Sequence, residues 1–588
     1  MRLENYWGVG PKTSALLSEE LGVGTAVEAI ESADVRALTD AGLGRGRATR
    51  ILRHAKGEAG MDLLATRDAR SVYKDLVDLA ADYAVTRRAA DRIRVLTPLA
   101  DRADMDDRLD EVDLARESWE GLDGPTREAV LAAFEAYDES EGGDLAAVEA
   151  ALALREAGVE GGVFESVTDL DGDLLRAGAE ALRALGGDAD GEVADGADDR
   201  LDDLRATLRA VDDLAGRPAA VVEEVGGAGA ADPERFRTAL RRHVVEETGV
   251  DAARLREAAP GDAADATDFV SRTLRGLVED LSAAVEDREA EVRERLADTL
   301  DESREEVAAA DAAVDDATFL LSLGRFAAAF DLTRPTYVED RDALAVLEAR
   351  NLALAAGDGD VQPVSYGIGD HSLSGTTPSR PPSGDRVTVV TGANSGGKTT
   401  LLETLCQVAL LAHMGLPVPA EAAEVSLVDA VVFHRRHASF NAGVLESTLR
   451  TIVPPLTERD RTLMLVDEFE AITEPGRAAD LLHGLVTLTV DRESLGAFVT
   501  HLADDLEPLP EAARTDGIFA QGLDQDLQLE VDYQPRFGTV GKSTPEFIVS
   551  RLLADSDTSQ ERAGFEALAR AVGETAVQRT LTDADWAE

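Results

Sequence analysis

The sequence predicts a multidomain protein that combines α and α/β parts, with a parallel or mixed sheet towards its C-terminus. Residues 1–58 contain two similar helix–turn–helix patterns, each with a pair of glycines at the turn. Residues 59–345 are dominated by helix-favouring residues, and residues 346–555 contain short apolar runs that end in polar residues. We expect a helical tail over 556–588. At about 150 residues per domain, a chain of 588 residues is long enough for three or four domains.

The composition is strongly acidic, with 115 Asp and Glu against 59 Lys and Arg and a net charge of −56. Only 5 of the basic residues are lysines. This pattern is typical of proteins adapted to high salt, where charges are screened over about 3 Å at 1 M. The alternative is an acidic surface that mimics nucleic acid, which the spread of the acids along helical faces disfavours. Residues 1–58 hold eight acidic and eight basic residues, so the other 530 carry the whole net charge.

The sequence also predicts where the protein works. No apolar run approaches the roughly 18 residues of a membrane span, and the N-terminus has no apolar signal core. The single cysteine, Cys406, cannot form an internal disulfide, which fits a reducing compartment. We therefore expect a cytoplasmic protein with no membrane partner, associated with the nucleoid if it binds DNA.

The glycine pairs of residues 1–58 let backbone N–H groups approach an anion at the start of the following helix. No acid occurs between residues 45 and 57, where several arginines cluster, and such a cluster neutralises phosphates. The pattern resembles the tandem helix-hairpin-helix fold, which holds the DNA backbone without reading bases. The alternative is a helical hairpin used for packing or dimerisation. The expected DNA contacts are the turn glycines and nearby cations: Gly8, Gly10, Lys12, Gly42, Gly44, Arg45, Arg47 and Arg50.

The region 59–345 predicts helices interrupted at 186–199, 223–235 and 260–268. Residues 269–310 run almost without helix breakers and are crowded with charge, which predicts a long lever helix. We expect this helix to pair with an earlier one from residues 66–120; a generic helical bundle is the alternative. The pattern indicates no catalytic constellation here.

The most specific motif lies between a buried strand, 386–391, and an apolar helix. It has the spacing G-x-x-x-x-G-K-T of a P-loop, whose backbone N–H groups cradle phosphates. Lys398 is expected to reach the β- and γ-phosphates of ATP, and Thr399 to hold Mg²⁺. The Walker A residues are Gly392, Ala393, Asn394, Ser395, Gly396, Gly397, Lys398, Thr399 and Thr400.

Two further apolar strands end in polar residues. The strand 462–466 leads into Asp467 and Glu468, which fit a Walker B carboxylate on Mg²⁺ and a catalytic residue that polarises water. The strand 496–500 leads into His501, a second catalytic candidate that could sense the γ-phosphate. Because the carboxyl ends of parallel strands meet at one sheet edge, these groups should lie together.

These motifs together resemble the MutS family of ABC-type ATPases: GANSGGKTT, Asp467-Glu468-Phe469 with Thr473 and Pro475, and Thr500-His501. The resemblance implies ATP and Mg²⁺ as cofactors and a homodimer. It also implies a signature segment, with Asn441, Gly443 and Glu446, that completes the partner's nucleotide site. About 230 residues match with motifs, and the helical middle resembles the family's core, lever and clamp in architecture only.

The chain also departs from the family pattern. The segments on either side of the helices and the ATPase motifs do not resemble the family's mismatch-reading domain or a nuclease tail, so we expect a member of the MutS-two branch without a nuclease domain. Glu470 and Ile472 stand where the family usually has glycines, and Asn441 stands at the signature serine.

We therefore predict a DNA-binding ATPase of the MutS-two type that holds DNA, duplex or branched, largely independently of sequence. One alternative is a sensor of mismatched or branched DNA in repair or recombination, and another is a nucleotide-gated scaffold that does not hydrolyse ATP. A chromosome-organising ATPase of the SMC type is disfavoured, because only 69 residues separate Lys398 from Asp467.

Overall fold

A computed structural model describes residues 3–31, 33–140, 143–186, 192–226, 232–357, 359, 361–373, 380–392, 397–436, 442–472, 475–523, 529–541, 545–554, 556, 558–572 and 577. The chain forms two compact units. The first unit combines residues 1–123 with 318–588, and the second comprises residues 124–317. Each unit is described here by itself.

The N-terminal part of the first unit consists of short helices with two glycine turns. Gly8 and Gly42 have φ values of +79° and +90°, a conformation that glycine adopts without steric cost. Leu17, Ile30 and Leu38 are fully buried in the common core of these helices. After a 3₁₀ turn at Leu3–Asn5, the helices are α1 (Pro11–Glu20), α2 (Val23–Glu31), α3 (Val35–Asp40), α4 (Arg45–Asp62), α5 (Arg67–Ala81), α6 (Arg87–Arg94) and α7 (Arg102–Gly121).

The second unit is helical throughout its described residues. Its helices are α8 (Gly124–Glu139), α9 (Asp144–Glu156), α10 (Glu165–Thr168), α11 (Gly172–Ala184), α12 (Asp199–Ala215), α13 (Pro218–Gly226), α14 (Pro233–Thr248), α15 (Ala252–Glu257) and α16 (Ala266–Ala329), with a 3₁₀ turn at Gly162–Phe164. The three predicted interruptions overlap the gaps between α11 and α12, α13 and α14, and α15 and α16, and the sequence did not predict the other breaks between these helices. Helix α16 has 64 residues, and its last twelve belong to the first unit.

The expected pairing of residues 269–310 with residues 66–120 is wrong. That stretch of α16 packs within the second unit, where Arg288 bonds Asp198 of the α12 N-terminus at 2.7 Å. The last twelve residues of α16 pack on the earlier helices of the first unit, where a Cβ on Gly324 would lie 2.6 Å from the backbone of Ala115. The apolar positions of a charged helix show which face is buried, but not which helix covers it.

The C-terminal part of the first unit contains two sheets. The strands are β1 (Thr336–Val338), β2 (Ala343–Ala349), β3 (Val364–Gly369), β4 (Val387–Gly392), β5 (Ala422–Ser426), β6 (Ala430–His434), β7 (Thr462–Asp467), β8 (Leu495–Val499), β9 (Ala513–Leu523) and β10 (Leu529–Phe537). The helices are α17 (Leu352–Ala355), α18 (Lys398–His413), α19 (Ala442–Glu458), α20 (Pro475–Asp491), α21 (Pro545–Ala554) and α22 (Ser559–Val572), with 3₁₀ turns at Phe469–Ile472 and Ala503–Leu506.

The larger sheet has the strand order β10-β9-β4-β8-β7-β6, and the smaller has β1-β5-β2-β3. In the larger sheet every neighbouring pair is parallel except β9 with β10. Alternate side chains of a strand point to opposite faces, and β7 uses both faces for burial. Leu463 and Leu465 join the core around α18, whereas Met464 and Val466 join the core around α19 and α20. The carboxyl ends of β4, β8 and β7 therefore lie side by side.

The outer edge of β6 is closed by the segment that links α4 to α5. The Val431 amide donates to the Leu63 carbonyl at 2.7 Å, and the Ala65 amide donates to the Val431 carbonyl at 3.2 Å. The Thr66 hydroxyl donates to the Phe433 carbonyl at 2.6 Å and accepts from the Phe433 amide at 3.1 Å. A sheet edge leaves backbone groups unpaired unless something covers it, and this early segment covers it here.

Candidate nucleotide site

Two glycines of the Walker A motif, Gly392 and Gly397, have positive φ. Gly392 has φ +133°, and a Cβ there would lie 2.2 Å from the Ile518 carbonyl oxygen on β9. Gly397, with φ +72°, is the N-cap of α18. Both positions therefore require glycine. Residues 393–396, which include the predicted Ala393, Asn394, Ser395 and Gly396, lie outside the described residues.

Lys398 begins α18, and its side chain is buried. Its Nζ donates to the Gly392 carbonyl at 3.0 Å, so the ammonium group lies across the ends of the phosphate-binding turn. Burial lowers the pKa of Lys398, and the nearby carboxylates of Glu468 and Asp467 oppose that shift. An anionic ligand at this position would compensate the ammonium group for the solvation that it loses on burial.

Thr399 and Asp467 join α18 to the end of β7. The Thr399 hydroxyl donates to Asp467 Oδ2 at 2.8 Å. Asp467 Oδ1 is buried, and among the described residues it accepts no hydrogen bond of normal geometry. Burial raises the pKa of Asp467, because a charged carboxylate loses solvation there. A hydroxyl beside a carboxylate with an unused oxygen is a donor set that fits Mg²⁺.

Glu468 follows with φ +42°, an unusual conformation for a residue with a side chain. His501 Nε2 lies 3.0 Å from its Oε1, and Arg436 Nη1 lies 2.6 Å from its Oε2. The hydrogen bond with His501 is the main cause that lowers the pKa of Glu468, with further lowering by Arg436 and opposition from burial. The imidazole of His501 thus holds one oxygen of this carboxylate, and the guanidinium of Arg436 holds the other.

Glu470 fixes the position of His501. Its Oε1 accepts from the Thr500 hydroxyl at 2.9 Å and from the His501 amide at 2.7 Å. The sequence singled out Glu470 only as a departure from the family's glycine, and it gave no role to Arg436. A signal for Arg436 was present, because Arg435 and Arg436 follow the apolar strand β6 as polar residues follow β7 and β8.

A cleft of about 390 Å³ lies in front of these groups. Gly397, Lys398, Thr399, Thr400 and Glu468 line one part of it. The remaining wall is less polar and comes from segments that the sequence did not associate with the site: Ala349, Asn351, Leu354, Val361, Gln362, Val364, Leu401, Thr404 and Tyr533. A polar end and an apolar, aromatic end match the phosphates and the base of a nucleotide, at a volume usual for small-ligand sites.

Of the predicted signature residues, Asn441 lies outside the described residues. Gly443 and Glu446 lie in the first turns of α19, where Glu446 is exposed and bonds Arg450 at 2.7 Å. Among the described residues, Glu446 is not part of the lining of the Lys398 cleft.

The N-terminal candidates form a second, separate surface. Gly10 and Gly44 are the N-caps of α1 and α4, and neither cap uses a side chain, so the first amides of both helices lack a side-chain acceptor. Gly8 and Gly42 make the preceding turns. Such N-termini suit anions.

The cations of this surface are partly engaged. Lys12 and Arg50 are exposed, and Arg47 donates to a carbonyl of the first glycine turn at 3.4 Å. Arg45 forms an ion pair with Asp91 of α6, which also pairs with a second arginine. The sequence could not show this neighbour, so the free charge of the cluster is smaller than its composition implies.

The helices described here include none that is long and apolar enough to cross a membrane.

Part of the chain is similar to known proteins, and the similarity includes the strands of the candidate site. Residues 388–471, which run from β4 into the turn after β7, match the family model of MutS domain V. The DNA-binding protein MutS2 of Pyrococcus furiosus is 42% identical over 235 residues, 40% of this chain and 40% of that protein.

Two further relatives carry similar names. The DNA mismatch repair protein MutS 2 of Halobacterium salinarum is 30% identical over 357 residues, 55% of this chain and 37% of the relative. The endonuclease MutS2 of Solidesulfovibrio magneticus is 34% identical over 230 residues, 37% of this chain and 27% of the relative. The chain spans less than half the length of these relatives. Over the matched residues the chain is similar to MutS2-type proteins of the MutS family, the resemblance that the sequence motifs predicted.

Proposed function

We propose that this chain is a DNA-binding ATPase of the MutS2 type. The observation that carries the proposal is the meeting of Lys398, the Thr399–Asp467 pair and the Glu468–His501 pair at one sheet edge. The name of the Pyrococcus furiosus relative, a DNA-binding protein, supports the DNA part.

Each side chain has a separate task in this proposal. Lys398 binds the β- and γ-phosphates, and its buried ammonium group gains a counter-charge from them. Glu468 orients the attacking water through its carboxylate, whose ionised form is favoured by the hydrogen bond with His501. His501 holds Glu468 at the correct angle and lies close enough to the carboxylate to respond when the γ-phosphate leaves.

Thr399 and Asp467 would hold Mg²⁺, with the hydroxyl and the unused Oδ1 as donors. Bound there, Mg²⁺ neutralises charge on the phosphates during hydrolysis. The chain itself fixes both donors, since one begins α18 and the other ends β7.

A homodimer is part of the proposal. Glu446, which does not line the cleft of its own chain, would face the nucleotide of a second copy together with Asn441 and Gly443. The exposure of Glu446 supports such a role. The DNA contacts would be the N-termini of α1 and α4 with Lys12, Arg45, Arg47 and Arg50.

The test of the ATPase compares nucleotide binding and ATP hydrolysis in three variants, with and without DNA. Lys398→Ala should lose both binding and hydrolysis, because the phosphate cation is gone. Glu468→Gln should bind nucleotide but hydrolyse at least about a hundredfold more slowly. Arg562→Ala, an exposed arginine of α22, is the matched control and should behave as wild type. Normal hydrolysis by Lys398→Ala would refute the site.

The DNA contacts are tested separately by the salt dependence of duplex binding. The double variant Lys12→Ala, Arg50→Ala should weaken binding of all duplexes alike and reduce the salt slope by about two. An unchanged affinity and slope would remove the hairpins from the proposal but leave the ATPase intact.

A further inference from the structure

A second cleft, of about 660 Å³, lies between α4, α5 and α19 of the first unit. It is separate from the Lys398 cleft and shares no lining residue with it. Its volume falls within the roughly 300–1,000 Å³ of small-ligand sites. None of the sequence motifs accounts for it.

The charge of this cleft is the reverse of the chain's. Five basic residues line it, Arg50, Arg53, Arg70, Lys74 and Arg459, against two acids, Asp62 and Glu458. The whole chain has 115 acidic and 59 basic residues. Lys74 pairs with Asp78 at 3.3 Å and Arg459 with Asp62 at 3.9 Å, yet the remaining arginines still outnumber the remaining acid, which favours an anionic ligand.

Two of these cations are available to a ligand. Arg50 and Arg70 are exposed, and their hydrogen bonds go to the backbone carbonyls of Gly46 and Ala65. Neither forms an ion pair among the residues that the structure describes. Arg53 is engaged differently, since it donates to the Arg94 carbonyl at 2.8 Å.

Trp7 forms an aromatic platform at the mouth of the cleft. One face of its indole stacks on His54, with ring centroids 3.7 Å apart and an interplanar angle of 24°. The residue is nevertheless 48% exposed, which leaves the opposite face open. A flat aromatic face beside cations is the arrangement that proteins use to bind unpaired nucleotides by stacking and phosphate contact.

The position of the cleft, near the proposed duplex contacts and β6, also favours a DNA ligand. Arg50 is one of the residues proposed to hold duplex DNA and also lines the cleft, so a strand leaving that surface would enter the cleft. Its floor includes Ala430, the first residue of β6, and the other end of β6 leads to Arg436 against Glu468. A ligand in the cleft would therefore touch the strand that leads to the nucleotide site.

We propose that this cleft binds an unpaired strand of the DNA substrate, with one base stacked on the open face of Trp7 and its phosphates on Arg50 and Arg70. The proposal rests on the proposed DNA binding and specifies its substrate: duplex DNA with a single-stranded extension. The stacking partner is the base plane itself, so the site does not select a sequence.

The test measures affinities for a blunt duplex and for the same duplex with a ten-nucleotide thymidine tail, at several salt concentrations. Wild type should bind the tailed duplex about tenfold more tightly, near the lower end of the stacking contribution of one base. Trp7→Ala should lose that preference and keep its blunt-duplex affinity. Trp7→Phe should retain most of the preference, because a phenyl ring still stacks.

Two further variants separate a binding role from a structural one. Arg70→Ala lies on α5, away from the glycine turns, and should also reduce the tail preference. Arg562→Ala removes an equally exposed charge elsewhere and should not. Thermal melting checks that each variant is folded.

The outcomes distinguish this proposal from the one on which it rests. If wild type binds both duplexes equally, or if Trp7→Ala weakens both equally, the cleft is not a strand site and DNA binding stands. If wild type binds neither duplex at any salt concentration, DNA binding itself fails, and the strand site fails with it.

Discussion

Substitution of Glu470 tests whether His501 must be anchored for hydrolysis. Glu470→Ala removes the single oxygen that accepts from both the Thr500 hydroxyl and the His501 amide, at 2.9 and 2.7 Å. The end of β8 would then be free to shift, and His501 would leave its 3.0 Å contact with Glu468. The charges of Glu468 and Asp467, which act on Lys398 more strongly than that of Glu470, remain in this variant, so nucleotide binding should be largely retained.

The size of the effect follows from the two bonds. A hydrogen bond to a charged group contributes about 1.5–3 kcal/mol. If the loss of one such bond is felt when the water attacks, kcat falls about ten- to a hundredfold, at 1.36 kcal/mol for each factor of ten. Loss of the second hydrogen bond lowers the stability of the folded turn and does not raise the activation barrier of hydrolysis.

The assay is steady-state ATP hydrolysis, with kcat and KM measured separately. Glu470→Ala should lower kcat with KM within about threefold of wild type. Glu470→Gln keeps an acceptor oxygen and should lose much less. A kcat within twofold of wild type for Glu470→Ala would refute the anchoring role, and a rise in KM alone would show that Glu470 acts on nucleotide binding instead.

Three other changes test further parts of the structure. Gly397→Ala places a Cβ 2.7 Å from the Tyr533 ring at φ +72° and should weaken binding of a fluorescent nucleotide analogue about tenfold; unchanged affinity would contradict the assigned cleft. Asp516→Asn removes a fully buried carboxylate that is paired with Arg514 and should cost about 3 kcal/mol in denaturant unfolding, and a loss below about 1 kcal/mol would refute this. His413 accepts from the Val428 amide through Nε2, and burial lowers its pKa, so the folded protein favours neutral imidazole. The neutral imidazole therefore contributes to stability above the unfolded pKa of about 6.5, and this contribution is lost as the pH falls below that value. The melting temperature should fall less with decreasing pH in His413→Leu than in wild type. Equal decreases in the two proteins would contradict this.

The meeting of Lys398, Asp467, Glu468 and His501 at one sheet edge could be predicted because the signals are local. Each central strand is a short apolar run followed at once by polar residues, and parallel pairing brings such ends together. The P-loop spacing adds a conformational requirement that Gly392 and Gly397 satisfy. These features need no knowledge of distant contacts.

Other contacts could not be predicted, because they join segments far apart in sequence. Tyr533 reaches the cleft only because β10 pairs with β9, and Asp91 reaches Arg45 from a helix with its own pattern. The pairing of α16 was predicted wrongly for the same reason. The sequence period of α16 predicts a helix but does not show which helix packs against it.

The segment that closes β6 has a consequence for how the chain becomes folded. Residues 63–66 leave the ribosome long before β6, their partner some 367 residues later, is made. Loop closure over such a distance is slow, so this linker stays unpaired until the sheet exists. A shortened protein starting at residue 346 would expose the backbone of β6 as an open edge and should associate with itself. The C-terminal α/β part is therefore not self-sufficient, because residues 63–66 supply the cover of its outer sheet edge.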